Sequence, residues 1–382
     1  MKIKLTRKRI LFIFGTRPEA IKMAPLIKEF QKCNNFFWTK VCVTGQHQEM
    51  LDQMLDFFRI EPDYDLNLMT YNQTQSQLAS KQLLELEKIL SNWLPDLILV
   101  QGDTLTTLFG SLAGFYKRIK IAHIEAGLRS NNKYSPYPEE INRVLVDHIA
   151  DYFFVPTDKC RTNLLKEGIK DNIFLVGNTV IDALFFTLEN INKNGSRKYF
   201  DYFRQIDFSK KIILVTGHRR ESFGQPLKNI CSALKKIADT NENVAIVYPI
   251  HLNPNVYRPV KDILGKTKNI VLFEPLDYPK LVWLLNKSYL ILTDSGGIQE
   301  EAPSLGKPVL ITREVTERIE GIQAGTAKLV GTDFNKIIQN VNLLLTNKQV
   351  YNKMAKAKNP YGDGKSSPRI VKKIKEIFPI SS

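Results

Sequence analysis

Three carboxylates in the first half of the chain stand where apolar runs end or helices begin. Asp103 lies in Gln101-Gly102-Asp103-Thr104, and Glu125 in Ile124-Glu125-Ala126-Gly127-Leu128-Arg129. Glu139 lies in Ser135-Pro136-Tyr137-Pro138-Glu139-Glu140-Ile141-Asn142-Arg143. Two of them have an ordinary alternative. Asp103 would also serve as a helix cap, and Glu139 suits the first turn of any helix. Glu125 directly follows buried strand residues, where a lone carboxylate is costly without a partner. Gathered on one rim, the three would do more. Close carboxylates raise one another's proton affinity, giving acid and base forms near neutral pH. That is a means of moving a carbon-bound proton.

The second half carries features suited to an anion. Thr293-Asp294-Ser295-Gly296-Gly297-Ile298-Gln299-Glu300-Glu301 directly follows the apolar run 289–292. A strand feeding a Ser-Gly-Gly turn that opens a helix lets backbone N–H groups approach a phosphate. Glu301, one turn in, can accept from ribose hydroxyls. The spacing is not the dinucleotide G-x-G-x-x-G, so a nucleoside diphosphate without nicotinamide is the reading. An ordinary βα turn with glycines for tight packing is the plainer one. In Gly15-Thr16-Arg17-Pro18-Glu19-Ala20-Ile21-Lys22, Arg17 and Lys22 can meet negative charge; a capped helix with surface cations fits as well. Thr216-Gly217-His218-Arg219-Arg220 offers a histidine and two cations. Of five histidines, His47, His123, His218 and His251 fall on or just after apolar runs, and His148 falls in a helical stretch as a structural residue. No histidine pair has ligand spacing, so no metal is expected. Gly362-Asp363-Gly364-Lys365-Ser366 resembles the end of a P-loop but has Asn359 where that motif needs glycine.

Short apolar runs alternate with helical stretches along the whole chain. Strands are expected at 10–14, 39–44, 97–101, 119–125, 152–155 and 173–176. A second series follows at 211–216, 244–249, 270–273, 289–292, 308–311 and 327–330. Amphipathic stretches such as 18–33, 46–58 and 74–93 lie between them. Runs of β-branched residues without strict alternation suggest strands buried on both faces, hence parallel sheets flanked by helices. The pattern breaks over the polar segment 190–207, and the boundary is placed near Gly177. The expected fold is α/β, with two Rossmann-like domains facing across a cleft. Residues 1–176, joined by the C-terminal helix 366–382, form the first; residues 177–365 form the second. The last helix is expected over 370–377, after a loop.

The 382 residues favour two domains by length, and 43% hydrophobic content suffices for full cores. A net charge of +15 fits an anionic small substrate or plain solubility. No basic run is interleaved with aromatics, which argues against nucleic acid. Four scattered cysteines fit a reducing compartment. No apolar stretch reaches about 18 residues, and 10–14 is too short for a signal peptide. A soluble, cytoplasmic protein is expected.

With these segments in view, the chain resembles the bacterial non-hydrolysing UDP-N-acetylglucosamine 2-epimerases. The resemblance runs from Phe14-Gly15-Thr16-Arg17-Pro18-Glu19-Ala20-Ile21-Lys22-Met23-Ala24-Pro25 to Asn359-Pro360-Tyr361-Gly362-Asp363-Gly364. It implies a glycosyltransferase-B-like fold and conversion of UDP-N-acetylglucosamine to UDP-N-acetylmannosamine with no cofactor. The implied route is elimination: C2 loses its proton as UDP leaves C1, giving a 2-acetamidoglucal. UDP then adds back, and the proton returns on the other face. Asp103, Glu125 and Glu139 are the implied carboxylates, with Asp103 and Glu139 near C2 and Glu125 in support. His218 is the implied histidine at the phosphates. Ser295, Gly296, Gly297, Glu301 and Arg313 are the implied UDP contacts, complemented by Arg17 and Lys22. A second, activating substrate site is implied at Gln46, Glu139, Arg219 and His251. Against it, Asn72 follows Tyr71 where an arginine is expected, and Glu49 stands where glutamine also occurs. Leu105 and Ile319 depart from the pattern too, the latter where proline is usual. A homodimer and a role in surface polysaccharide synthesis are further implied. A 2-epimerase of a modified UDP-2-acetamido sugar, a glycosyltransferase of the same fold and a non-catalytic nucleotide-sugar regulator remain as alternatives.

Overall fold

The computed structural model describes residues 7–45, 48–70, 72–217 and 219–379. The chain forms two compact units. One holds the chain up to Ala183 and again from Gly362; the other spans Leu184–Tyr361.

In the first unit, β1 (Lys8–Phe14), α1 (Arg17–Lys32), β2 (Phe37–Val43), α2 (Gln48–Phe58) and β3 (Tyr64–Asp65) come first. Next are α3 (Gln75–Asn92), β4 (Leu97–Gln101), α4 (Leu105–Tyr116), β5 (Lys120–Ile124) and α5 (Glu139–Ile149). Then come β6 (Tyr152–Val155), α6 (Asp158–Lys166), β7 (Ile173–Leu175) and α7 (Thr179–Lys193), which runs across the unit boundary. The seven strands order as β3-β2-β1-β4-β5-β6-β7, and every neighbouring pair is parallel. Residues Ile10 to Phe14 and Leu97 to Val100 are wholly enclosed, as expected for strands covered on both faces.

The second unit continues with α8 (Arg197–Tyr202), β8 (Lys211–Thr216), α9 (Gln225–Thr240), β9 (Val244–Pro249) and α10 (Pro254–Leu264). It adds β10 (Ile270–Phe273), α11 (Tyr278–Lys287), β11 (Leu290–Thr293), α12 (Gly296–Glu301) and β12 (Val309–Ile311). It ends with α13 (Ile319–Gln323), β13 (Ala327–Leu329), α14 (Phe334–Thr346) and α15 (Lys348–Ala355). Its strands order as β10-β9-β8-β11-β12-β13, again all parallel. Helix α16 (Ser366–Ile377) returns to pack on α1 of the first unit.

Each sheet reverses its strand order once, between β1 and β4 in the first and between β8 and β11 in the second. Loops at the carboxyl ends of such strand pairs are where doubly wound sheets bind ligands. The segments Gly15–Arg17 and Gly102–Asp103 leave the first switch point, and Gly217–Arg219 and Asp294–Gly296 leave the second. Gly15 is required by crowding. A side chain there would begin 2.2 Å from Thr44 Oγ1 and 2.6 Å from Thr106 Oγ1.

Three elements differ from expectation. β3 has no apolar run and exists because its backbone pairs with the edge of β2, Cys42 opposite Tyr64. α16 begins at Ser366 rather than 370, because the Ser366 and Ser367 N–H groups donate to the Asp182 carboxylate at 3.1 and 2.7 Å. The first unit continues past Gly177 to Ala183, since Asn178 and Asp182 both bond within it. Helix α5 is turned unusually. It buries Glu140, Asn142, Arg143 and Asp147, while Ile141 and Leu145 are 40% and 45% exposed. Its polar face is aimed at the ends of β4 and β5. Among the described residues no helix is long and apolar enough to cross a membrane.

Candidate active site

At the first switch point a capping box starts α1: Thr16 is the N-cap and Glu19 the third helical residue. The wholly buried Glu19 carboxylate does more than cap. One oxygen accepts from Gly15 N (3.1 Å), Thr16 N (2.8 Å) and Thr16 Oγ1 (2.7 Å); the other accepts from Thr104 (2.7 Å) and Thr107 (3.1 Å) hydroxyls. Burial pushes its carboxyl above the ordinary range, and these donors pull it back in part. Glu19 thereby ties the turn bearing Arg17 to the turn bearing Asp103. Sequence reasoning gave Glu19 no role, although the T-x-x-E spacing was a signal for it. Arg17 opens α1 and is partly buried.

Asp103 is not the cap of α4. Thr104 takes that place, its Oγ1 accepting from Thr107 N at 3.2 Å. The Asp103 carboxylate instead accepts from Arg143 of α5, and the Asp103 carbonyl accepts from Asn142 at 2.9 Å. Glu125 sits just past β5 with a left-handed backbone, φ 68°, a conformation uncommon outside glycine and one that functional sites retain. Its carboxylate accepts from Lys22 and Gln101 on one oxygen and from Asn178 on the other, the last at 3.0 Å. Lys22 thus pairs with Glu125 inside the protein. Glu139 is the first residue of α5, three and four positions before Asn142 and Arg143. That spacing puts all three on one helix face, the face that meets Asp103. Glu139 Oε2 is buried without a hydrogen-bond partner among the described residues. Arg143 in turn pairs with Glu140 at 3.3 Å, and Glu140 accepts from the N–H groups of Ser130 and Asn131 at 2.9 Å. The structure thus brings Asp103, Glu125, Lys22 and the Glu139 face of α5 to one strand-end region. His148 lies at the far end of α5 with Nδ1 on the Val144 carbonyl, 2.8 Å away.

At the second switch point Ser295 is the N-cap of α12, and its N–H donates to Thr293 Oγ1 at 2.9 Å. The Thr293 hydroxyl also meets Thr216 of β8 at 2.6 Å, joining the two strand ends. Asp294 accepts from Arg219 N at 2.8 Å. Glu301 is buried, and the Tyr278 hydroxyl donates to its Oε1 at 2.7 Å. Burial, with that carboxylate beside it, holds the Tyr278 hydroxyl well above the ordinary tyrosine range. Gly297 faces the other oxygen of Glu301; a side chain at Gly297 would begin 4.0 Å from it.

The cations here divide. Arg313 donates to Glu221 (2.5 Å) and Glu317 (2.8 Å). Arg318 bonds Glu300 and Glu317, both at 2.9 Å, and its guanidinium carbon lies 3.2 Å from where a side chain at Gly296 would begin. Sequence reasoning missed Arg318, which sits in a loop with no local pattern to single it out. Burial alone would raise the Glu317 carboxyl, but Arg318 and Arg313 outweigh it and hold it at about 2. Arg219 lies 3.8 Å from Glu317 by its guanidinium. His251 follows β9, is exposed, and accepts from Asn253 N at 3.1 Å. His218, Gln46, His47 and Tyr71 lie outside the described residues, as does the Glu49 side chain. Among the described residues no cluster of three or more His, Cys, Asp or Glu side chains could hold a metal ion.

Two doubly wound units with polar residues gathered at both switch points define the glycosyltransferase-B-like class. A glycosyltransferase from Rickettsia africae shares the architecture at TM-score 0.64 and 15% identity, covering 98% of this chain and 100% of its own, a likeness of fold alone. The family described as UDP-N-acetylglucosamine 2-epimerase matches residues 28–375. The UDP-N-acetylglucosamine 2-epimerase of Salmonella typhimurium is 54% identical over 370 residues, covering 96% of this chain and 98% of its own. A crystal structure of UDP-GlcNAc 2-epimerase from Neisseria meningitidis bound to UDP-GlcNAc superposes at TM-score 0.90 and 47% identity, over 96% of this chain and 100% of the other. The chain belongs to the UDP-N-acetylglucosamine 2-epimerase family.

Proposed function

We propose that the protein interconverts UDP-N-acetylglucosamine and UDP-N-acetylmannosamine by removing and restoring the proton at C2. The observation that carries this reading is the strand-end group of Asp103, Glu125 and Glu139, in a chain about half identical to named epimerases along nearly its whole length. The C2 proton is weakly acidic, so the reaction needs positioned acid–base groups and a firm grip on UDP as it leaves C1. Loss of UDP gives a 2-acetamidoglucal; re-addition of UDP with protonation from the other face gives the epimer.

In this reading Asp103 and Glu139 exchange the proton at C2. The buried Glu139 oxygen without a protein partner supports that role. Glu125, engaged by Lys22, Gln101 and Asn178, supports them by fixed position and charge. The start of α12 and Arg318 take the diphosphate, Glu301 the ribose, and Arg17 and His218 the leaving-group charge. Arg313 holds Glu317 and through it Arg318. The net charge of +15 favours an anionic substrate. The activating second site, with Gln46, Arg219 and His251, belongs to this proposal; Arg219 and His251 follow the adjacent strands β8 and β9. So does a homodimer, which the outward Ile141 and Leu145 of α5 support. So too does a cytoplasmic setting in which the activated amino sugar feeds surface polysaccharide.

Asp103→Asn provides the test. It should bind UDP as the wild type does and lose turnover by at least about 1,000-fold. Full turnover in that variant would remove Asp103 from the mechanism.

A further inference from the structure

His123 lies in β5 and Asp147 in α5, and both side chains are completely enclosed. The His123 Nε2 is 2.8 Å from the carbonyl oxygen of Gly102, and Nδ1 is 2.6 Å from Asp147 Oδ1. A carbonyl oxygen only accepts, so Nε2 carries a hydrogen. The other Asp147 oxygen accepts from Gly127 N at 3.1 Å and pairs with Arg129 at 2.8 Å. Arg129 is itself held by two 2.6 Å bonds to Glu167. Burial alone would raise the Asp147 carboxyl, but His123 and Arg129 outweigh it and hold it below its ordinary value. Asp147 Oδ1, 2.6 Å from Nδ1, fixes how the imidazole faces.

The chain of contacts ends at the Gly102 carbonyl, which belongs to the peptide plane leading into Asp103. Gly102 has φ 77°, the left-handed region that glycine favours, so the chain leaves the sheet conformation here. The next carbonyl, that of Asp103, is held by Asn142 from the same helix. One helix therefore holds the turn on both sides of the Asp103 Cα, once directly and once through His123.

We infer that His123 is a positioning residue for Asp103: its Nε2–H grips the Gly102 carbonyl, Asp147 orients the ring, and together they set the direction in which the Asp103 carboxylate meets substrate. The inference rests on the proposed role of Asp103. A buried carboxylate that orients an imidazole is a recurrent device at reactive sites; here the imidazole acts on a backbone carbonyl.

The test compares His123→Gln with His123→Asn in the full chain, beside Asp103→Asn. A glutamine amide reaches the place of Nε2, whereas an asparagine amide reaches only that of Nδ1. Turnover of UDP-N-acetylglucosamine and binding of UDP are measured for each. His123→Asn should lower kcat about 100-fold with KM changed less than about threefold, since misplacement of a reacting group by about 1 Å can cost that much. His123→Gln should recover to within about tenfold of wild type. Equal activity of the two variants, or wild-type kcat in His123→Asn while Asp103→Asn is inactive, overturns the inference. Full turnover in Asp103→Asn removes the reading it rests on, and the inference with it. Nitrogen NMR of histidine-labelled wild type needs no variant. A protonated Nε2 on His123 agrees with the inference, and a bare Nε2 overturns it.

Discussion

Lys22 shows how a side chain's partner decides its chemistry. Its ammonium pairs with Glu125, and both groups are largely buried. Removing one partner of such a pair leaves an uncompensated charge, a loss of about 3–5 kcal/mol. Lys22→Met should therefore destabilise the folded protein by about that amount in urea titrations and leave UDP affinity within about twofold by calorimetric titration. A large loss of UDP affinity would mean that Lys22 serves the nucleotide instead. The contrast between Asp103 and Thr104 is instructive at the same scale. From sequence, Asp103 had two readings, cap or acid–base group, and only the structure shows that Thr104 fills the cap. Arg318 and His123 had no such signal of function because their partners are distant in sequence: Arg318 meets Glu300, and His123 meets Asp147; the T-x-x-E spacing marked Glu19 as a cap but not its reach to Thr104.

Elements were legible where their cause is local. β4 carries the apolar run Leu97 to Val100, and β1, β8 and β9 likewise show themselves by composition. β3 and the first turn of α16 were hidden because each is created by a remote partner, the edge of β2 and the Asp182 carboxylate. Asp182→Ala should consequently unfasten the start of α16 at a cost of about 1–2 kcal/mol. Hydrogen exchange should then quicken at the Ser366 and Ser367 amides; unchanged exchange would show that packing on α1 alone holds the helix. Helix α5 ties the candidate site together because its polar residues point inward. Its outward Ile141 and Leu145 are the counterpart of that arrangement. If they meet a second copy, Ile141→Glu with Leu145→Lys should convert the dimer to monomer in sedimentation equilibrium, and a wild type that sediments as a monomer would contradict the dimer outright.

For the molecule as a whole, the two parallel sheets were readable because strands covered on both faces write continuous apolar runs, and the motifs fell at strand ends because doubly wound sheets bind ligands at the carboxyl ends of their strands. Acid stability also belongs to this scale. The Glu317 carboxyl is held at about 2, below its ordinary value of 4.5. A depressed acid contributes stability that is fully present above its unfolded value and is lost as pH falls from about 4.5 toward about 2. The contribution is on the order of 3 kcal/mol. In urea titrations Glu317→Gln should be less stable than wild type near pH 7, and the gap should narrow below about pH 4. A gap independent of pH would assign the loss to packing rather than to the Arg313–Glu317–Arg318 ion network.

The central claim is that carboxylates at the first switch point take the proton from C2 of a UDP-bound amino sugar. Proton NMR of UDP-N-acetylglucosamine incubated with the purified protein in D2O tests it most directly. A growing UDP-N-acetylmannosamine signal with deuterium at C2 in the product is expected. Unchanged substrate that nevertheless binds would contradict it, as would epimer that retains its original C2 proton.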